Sequence, residues 1–201
     1  MRIPAFLKHP AFGWLLWLGI PAGLYLTGWH TEVIGQAQRL VLATGLANAR
    51  TETNVETPPA QQPEASYSIA LRTLDGKPVL LKELKGKAIF MNFWTTWCPP
   101  CVAEMPGIQD LYTATQSENV AFVMVSVDED VDKLRRFMRR KKYTFPAYRL
   151  ADNSIPAMYA GKTIPATFVI SGAGKLAFRH EGMAAYNSPD FKAFLLEQAG
   201  K

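Results

Sequence analysis

The ten residues from Asn92 to Cys101, which read NFWTTWCPPC, decide how the rest of the chain is interpreted. They contain both cysteines of the 201-residue chain, Cys98 and Cys101, with two prolines between them and Trp97 in front. A disulfide across so short a loop constrains the unfolded chain very little and adds little stability. The cysteine pair is therefore expected to be reactive rather than structural.

The residues on either side place the pair at the junction of a strand and a helix. The apolar run KAIFMNFW, residues 87–94, predicts a buried central strand, and a helix is expected after Cys98. Cys98 then lies at the amino end of that helix, where free amides and the helix dipole stabilise a thiolate and lower its pKa. An exposed Cys98 thiolate can attack a disulfide of another protein, and a more buried Cys101 can then release the product.

A zinc site is the usual alternative for a CxxC pair, but the sequence offers few further ligands. Structural zinc takes four ligands, whereas the chain has no second CxxC and only the histidines His9, His30 and His180. We therefore predict no bound metal and no other cofactor. The redox group is expected to be the Cys98–Cys101 disulfide itself.

The carboxyl-terminal two thirds of the chain has the pattern of an α/β domain. Hydrophobic residues make up 48% of the sequence, which is typical of a packed core rather than of disorder. The further predicted elements are a β-hairpin at 67–81, a buried strand at 120–127, a helix at 130–142, a second hairpin at 166–180 and a terminal helix at 188–200. This order predicts one domain, residues 66–201, with a mixed central sheet and helices on both of its faces.

The stretch LKGKAIFMNFWTTWCPPCVAEMP, residues 84–106, resembles the signature of the membrane-anchored thioredoxin-like proteins of the TlpA/ResA type. The resemblance covers about residues 67–200 and implies a thioredoxin fold with an amino-terminal β-hairpin extension. It also implies a thiol:disulfide oxidoreductase that works through Cys98 and Cys101. Trp97, Pro99 and Pro100 are then the residues that support the reactive pair.

Two further segments match the same family. Pro106 matches the proline that kinks the active-site helix of thioredoxins. The stretch TIPATFVI, residues 163–170, matches the loop in which a cis-proline faces the cysteines. The resemblance therefore implies that Pro165 is cis and that the backbone of Ile164 pairs with a bound substrate peptide.

Asn92 is a departure from cytosolic thioredoxin, which carries a buried aspartate at the matching position of the central strand. An amide cannot accept the proton that Cys101 must lose before it attacks. Glu104, three residues after Cys101, is the nearest candidate in sequence for that role. The sequence alone nevertheless favours a solvated carboxylate on the helix surface.

The direction of the exchange is suggested by the two prolines of the motif. Pro99 and Pro100 supply neither a side-chain donor nor a backbone N–H to the Cys98 sulfur, so the dithiol should be weakly stabilised, which favours a reductase. The resemblance implies reduction of disulfides in exported proteins, such as apocytochromes c or copper-site assembly factors, with electrons from a transmembrane thiol donor. A disulfide oxidase or isomerase, and a non-catalytic chaperone for thiols or copper, remain alternatives.

The amino-terminal residues predict a membrane anchor. Residues 11–29 carry no charge, and at about 1.5 Å per residue they nearly span a hydrocarbon core of about 30 Å. Because Arg2 and Lys8 precede this run, residues 1–30 are expected to be a cytoplasmic amino terminus and a single transmembrane helix, with the domain in the periplasm. A cleaved signal peptide is the alternative, but the ANA at 47–49 lies far beyond the apolar run.

Two segments and one charged helix are each compatible with more than one role. Residues 31–49 predict an amphipathic stalk helix that lies on the outer leaflet, packs against a partner or serves only as a spacer. Residues 50–65 predict a proline-rich linker. The seven basic residues within 133–142 favour a solvated face, with anionic headgroups or an acidic partner as alternatives. Nucleic acid is not an expected partner outside the cytoplasm.

Overall fold

The computed structural model describes residues 30–44, 62–117, 119–152 and 154–200. The strands are β1 (Ala70–Thr73), β2 (Pro78–Leu80), β3 (Ala88–Trp94), β4 (Val120–Ser126), β5 (Ala147–Leu150), β6 (Ala166–Ile170) and β7 (Leu176–Glu181). The α-helices are α1 (His30–Ala43), α2 (Pro99–Thr115), α3 (Val131–Lys141) and α4 (Pro189–Ala199). The strands form one mixed sheet in the order β2-β1-β5-β4-β3-β6-β7.

Strand β3 lies in the interior of the sheet, as its continuous apolar run predicts. It pairs in parallel with β4 and in antiparallel with β6. All seven of its residues are buried, since both faces of the strand are covered. This strand leads directly to the cysteine pair, which therefore follows a fully buried strand in the interior of the sheet.

Helices α2, α3 and α4, which follow β3 in the chain, cover the same face of the sheet. Phe90 and Trp94 of β3 belong to the same hydrophobic cluster as buried residues of α2, α3 and α4. The alternate residues of β3 face the other way, where they pack with residues of two 3₁₀ turns, Leu81–Leu84 and Ala157–Tyr159. The prediction of helices on both faces is thus wrong for the described α-helices. The β3-α2-β4 and β4-α3-β5 crossovers run in the same direction along the sheet, so their right-handedness places both helices on one side.

Both predicted hairpins are present, and each turns at a glycine with positive φ. Gly76 has φ +84° between β1 and β2, and Gly174 has φ +80° between β6 and β7, a conformation that glycine adopts without steric cost. The sequence analysis missed β5, a four-residue strand that pairs in parallel with β4 and in antiparallel with β1. Strand β5 joins the first hairpin to the rest of the sheet.

The end of the predicted linker is part of the folded domain. The Leu176 N–H donates to the Pro63 carbonyl oxygen over 3.0 Å, and the Ala65 N–H donates to the Gly174 carbonyl oxygen over 2.8 Å. Glu64 forms an ion pair with Lys175 at the same turn. The ordered domain therefore begins at least three residues before the predicted boundary at residue 66.

The predicted transmembrane helix and most of the predicted linker lie outside the described residues. Within the described ranges, no helix is long and apolar enough to cross a membrane. Helix α1 falls inside the predicted stalk and packs against α2, the helix that carries Cys101. The part of the stalk that the structure describes is therefore a layer of the domain, in contact with the helix of the cysteine pair.

Candidate active site

The cysteine pair lies where β3 passes into α2. Cys98 is the residue that caps α2, and its sulfur accepts a hydrogen bond from the Cys101 N–H at 3.3 Å. The two cysteines form a disulfide with their Cα atoms 5.2 Å apart. Both predicted reactive residues are therefore brought together at the amino end of a helix.

Pro99 and Pro100 occupy the first two positions of α2. Proline is well tolerated there because these amides have no partner within the helix. At ordinary helix starts the capping atom accepts from the second and third amides, so Pro100 removes one of its two usual donors. The first amide of α2 that can donate to the Cys98 sulfur is consequently that of Cys101.

Cys98 is less exposed than the sequence analysis predicted. Trp97 is 55% exposed, whereas Cys98 is only 5% exposed and Cys101 is fully buried. The prediction of an exposed Cys98 is wrong for the disulfide form, because the sulfur is covered by the loop before β6. The Cys98 Sγ lies 3.9 Å from the Ile164 carbonyl oxygen.

That covering loop contains the predicted cis-proline. The Ile164–Pro165 peptide is cis, as the family resemblance implied. The loop is held at both ends, because the Lys162 N–H donates to the Glu181 carboxylate at 3.0 Å and the Gly182 N–H donates to the Pro165 carbonyl oxygen at 2.8 Å. The backbone of Ile164 is thus fixed beside the reactive sulfur.

Glu104 is buried, contrary to the solvated position that the sequence favoured. It is only 1% exposed, since it lies one turn after Cys101 on the face of α2 that meets the sheet. The Asn92 Nδ2 donates to its Oε1 at 2.8 Å, and the Ala184 N–H donates to its Oε2 at 3.3 Å. Asn92 and Glu104, both predicted to support the site, are therefore direct partners.

The same hydrogen-bond network includes two residues that the sequence analysis missed. The Asn92 Nδ2 also donates to the Thr167 Oγ1 at 2.9 Å, and the Tyr186 hydroxyl donates to the same oxygen at 2.8 Å. Thr167 and Tyr186 come from β6 and from the loop before α4, so no local sequence signal connects them to the cysteines. Thr167 can be assigned to the site only from the register of β3 with β6, which pairs it with Asn92. Tyr186 is then found through its hydrogen bond to Thr167.

Burial controls the ionisation of this network. Desolvation raises the pKa of Glu104 from 4.5 to about 8, although the hydrogen bonds from Asn92 and Ala184 lower it in part. Burial and the nearby Glu104 carboxyl also raise the pKa of Tyr186 well above its usual value, so its hydroxyl remains a donor. The site therefore contains a carboxyl group that can exchange a proton near neutral pH.

A cavity connects Glu104 with the surface of the domain. It has a volume of about 430 Å³ and is lined by α1, α2 and the loop that leads into α4. Arg39, Glu104, Gly107, Asp110 and Asn187 are among its lining residues. Glu104 is thus almost fully buried but borders a cavity that is open at the surface.

A second carboxylate holds the loop between β3 and Cys98. Asp128 accepts hydrogen bonds from the Thr96 N–H at 2.9 Å, the Thr96 hydroxyl at 2.8 Å and the Ser126 hydroxyl at 2.7 Å. Asp128 was not predicted, although an acidic residue just after a buried strand is a recognisable signal. It fixes the approach to the cysteine pair from the neighbouring strand.

No group of three or more histidine, cysteine, aspartate or glutamate side chains lies close enough to hold a metal ion among the described residues. The absence of a cofactor stays a prediction. The chemistry that the described side chains can perform is thiol–disulfide exchange, in which the Cys98–Cys101 disulfide reacts with an external thiol or the reduced pair reacts with an external disulfide.

A strand that ends in a CxxC disulfide at a helix start, faced by a cis-proline loop, is the arrangement of a thioredoxin-like domain. Residues 62–179 match the AhpC/TSA family, and the chain belongs to that family. The predicted resemblance to the ResA type is confirmed for the domain by the curated relatives.

Two of those relatives are proteins named thiol-disulfide oxidoreductase ResA. The protein of Halalkalibacterium halodurans is 32% identical over 123 residues, which are 61% of this chain and 70% of that protein. The protein of Bacillus subtilis is 35% identical over 109 residues, which are 54% of this chain and 61% of that protein. The match thus spans three fifths or somewhat more of each relative.

Solved structures give the same result. A thiol:disulfide interchange protein of the thioredoxin family from Chlorobium tepidum has a TM-score of 0.61 and 28% identity, over 71% of this chain and 100% of that one. A secreted Mycobacterium tuberculosis disulfide oxidoreductase homologous to DsbE has a TM-score of 0.54 and 28% identity, over 67% of this chain and 96% of that one. The described domain is therefore a thiol-disulfide oxidoreductase domain of the ResA and DsbE type.

Proposed function

We propose that the protein is a membrane-anchored thiol:disulfide reductase that acts on exported proteins outside the cytoplasm. The observation that carries the direction of exchange is the start of α2. Pro100 removes the amide donor of the second helical position, so the Cys98 sulfur accepts its helix hydrogen bond from Cys101 at the third. A thiolate with fewer donors is less stabilised, and a less stabilised dithiol is a stronger reductant.

The reaction takes two exchange steps. The Cys98 thiolate attacks one sulfur of a substrate disulfide, which forms a mixed disulfide and releases the other substrate sulfur as a thiolate. The Cys101 thiolate then attacks the Cys98 sulfur and releases the second substrate thiol. The substrate gains two electrons and two protons, and the protein returns to the Cys98–Cys101 disulfide that the structure contains.

Glu104 is proposed to accept the proton that Cys101 loses before the second step. With a pKa of about 8, about one carboxyl in ten is ionised at pH 7 and can act as a base. Its partner Asn92 orients the carboxyl by a hydrogen bond of 2.8 Å. The cavity that Glu104 helps to line is the proposed route by which the accepted proton passes to solvent.

The substrate segment is proposed to bind across the motif and the cis-proline loop. Trp97 offers an exposed indole on one side, and the backbone of Ile164 lies beside the Cys98 sulfur on the other. A second cavity of about 360 Å³, lined in part by Val127, Ile155 and Ile164, continues from this loop. Its apolar lining suits an extended, unfolded segment of an exported protein.

The location and partners of the protein rest on the sequence and on its relatives. Residues 11–29 are proposed to anchor the chain in the cytoplasmic membrane with the domain in the periplasm. A transmembrane thiol protein is proposed to re-reduce Cys98 and Cys101. Apocytochromes c or metal-site assembly factors are the proposed substrates, which the resemblance to the TlpA/ResA type supports.

The redox potential tests the proposed direction. We expect the full-length protein, equilibrated with glutathione buffers in detergent, to have a potential near thioredoxin's, about −270 mV. A potential above about −180 mV, together with a Cys98 pKa below about 5, would instead assign a disulfide oxidase or isomerase. Copper retained through purification without any turnover of a disulfide substrate would favour a chaperone.

A further inference from the structure

Helix α1 is attached to the helix that carries Cys101 through its small and polar residues. A Cβ atom on Gly35 would lie 3.6 Å from the Pro99 carbonyl oxygen and 3.6 Å from a methyl group of Val102. Because glycine has no side chain, the backbones of the two helices approach closely at this point. The Arg39 guanidinium donates to the Val102 carbonyl oxygen at 3.5 Å.

The opposite face of α1 exposes three large apolar side chains, whereas Leu42 lines the cavity between α1 and α2. Ile34 is 46% exposed, Leu40 is 72% exposed and Val41 is 48% exposed. Gln38 and Arg39 instead point inward, where the Gln38 Oε1 and the Arg39 Nε are buried without a partner in the described part of the chain. A surface helix in water normally has the reverse arrangement, so the outward face of α1 is suited to an apolar contact.

The position of α1 in the chain indicates what that contact is. The uncharged residues 11–29 end one residue before α1 begins at His30. If the first segment crosses the membrane, no linker separates α1 from the point where the chain leaves the bilayer. The first turn of α1 then lies in the layer of lipid headgroups.

We propose that the outward face of α1 lies in the headgroup and upper acyl region of the outer leaflet, with the catalytic domain resting on the membrane. This face is defined by Ile34, Ala37, Leu40, Val41 and Thr44, which recur at helical spacing on one side of α1. The inference rests on the membrane anchor that is part of the proposed function. The proposed ligand of the outward face of α1 is a phospholipid surface.

The charge of α3 supports this orientation. Helices α2 and α3 cover the same face of the sheet, and α1 lies on α2, so the exposed sides of α1 and α3 both point away from the sheet. The exposed side of α3 and its carboxyl end carry Lys133, Arg136, Arg139, Arg140 and Lys142. Basic side chains on an outward-facing helix match anionic headgroups, and the apolar face of α1 matches acyl chains.

The arrangement determines where the cysteine pair meets its electron donor. Gly35 lies next to Pro99, the residue after Cys98, since a Cβ atom on Gly35 would be 3.6 Å from the Pro99 carbonyl oxygen. A helix with its side chains is about 10 Å across, so the amino end of α2 is held about one helix diameter from the headgroups. That distance suits exchange with thiols at the membrane surface rather than deep in the periplasm.

The test uses the full-length protein, with its disulfide intact, in vesicles of phosphatidylethanolamine and phosphatidylglycerol. A small fluorescent amino acid replaces Leu40, Arg139, Leu18 or Glu83 in separate variants. Glu83 is the matched control, because it is exposed on the 3₁₀ turn that covers the opposite face of the sheet. Nitroxide lipids, labelled either near the headgroup or deep in the acyl chain, quench only the fluorophores that they can reach.

We expect headgroup-level nitroxides to quench the fluorophores at positions 40 and 139 and to leave the one at position 83 unquenched. Quenching at position 139 should be lost in vesicles without phosphatidylglycerol, because the basic residues then have no anionic partner.

Each of the other outcomes contradicts a specific part of the proposal. If deep nitroxides quench position 18 but none quench position 40, the anchor stands and the contact of α1 with lipid is wrong. If position 18 is not quenched, the anchor of the proposed function is wrong and the inference falls with it. Energy transfer between fluorophores at position 40 of different copies would assign the face to a second copy of the chain.

Discussion

Replacement of Glu104 by Gln should make the stability of the protein less dependent on pH. The pKa of Glu104 rises from 4.5 to about 8 on folding, so the folded state holds a proton that the unfolded state loses above pH 4.5. The stability that this proton provides is complete below about pH 4.5 and is lost as the pH rises to about 8. The shift corresponds to about 4 to 5 kcal/mol across that window, at about 1.4 kcal/mol per pH unit.

The Glu104→Gln substitution also lowers the free energy of unfolding by an amount that does not depend on pH. Gln can accept the Asn92 hydrogen bond, but it loses one acceptor, which leaves the Ala184 N–H without the partner that it has at 3.3 Å. An unpaired buried amide costs about 1–3 kcal/mol. Glu104→Gln should therefore be less stable than the parent near pH 5 and more stable near pH 8, and the two curves should cross between about pH 5 and 7.

Equilibrium urea unfolding of the detergent-solubilised protein between pH 5 and 8 measures this difference. Asp110→Asn is the matched control, since Asp110 lies on α2 and lines the same cavity but is exposed. It should leave the pH dependence unchanged. In single-turnover exchange, Glu104→Gln should slow the release of the mixed disulfide by Cys101, within the range of about 10²–10⁴ for general acid–base groups. Parallel stability curves and an unchanged release rate would refute both the buried carboxyl and its role as a base.

Three further predictions concern the cysteine motif and its support. Cys101→Ser should trap a mixed disulfide with the substrate on non-reducing gels, whereas Cys98→Ser should trap none; the reverse pattern would exchange their roles. Pro100→Ala should restore one amide donor to the Cys98 sulfur, worth about 1.5–3 kcal/mol to a thiolate. The potential measured in glutathione buffers should then rise by about 30–60 mV, and an unchanged potential would contradict the proposed basis of the reducing direction. Asp128→Ala should destabilise the protein by at least about 1–3 kcal/mol, because the Thr96 N–H loses its acceptor, and urea unfolding without loss of stability would contradict that role.

The elements with a strong local signal were predictable from the sequence. Strand β3 is a continuous apolar run, both hairpins turn at a glycine, and the start of α2 is marked by Pro99 and Pro100. Strand β5 was not predictable in the same way, because AYRL is short and most of it is only half-buried. Its pairing with β4 and β1 depends on the rest of the sheet.

The site shows a similar division. The Cys98–Cys101 disulfide and the approach of the loop at Pro165 to Cys98 were predictable from spacing and resemblance. The burial of Glu104 was not, because its spacing from Cys101 gives the side of the helix but not what covers that side. Helix α1 illustrates the same limit. Its periodicity identified an apolar face at Ile34 and Val41, but the sequence did not reveal that this face points outward.

The hydrogen-bond network at Glu104 has a consequence for the order in which the enzyme matures. The carboxyl is held by Asn92, twelve residues earlier, and by Ala184, eighty residues later. A chain that emerges from its amino terminus exposes both cysteines well before Ala184 and Tyr186 are available. Until those residues arrive, the carboxyl is open to water, and an open carboxyl keeps an ordinary acidity. The nascent protein should therefore carry its dithiol without the completed proton acceptor, and full reactivity should appear only after the last quarter of the domain has been synthesised and folded.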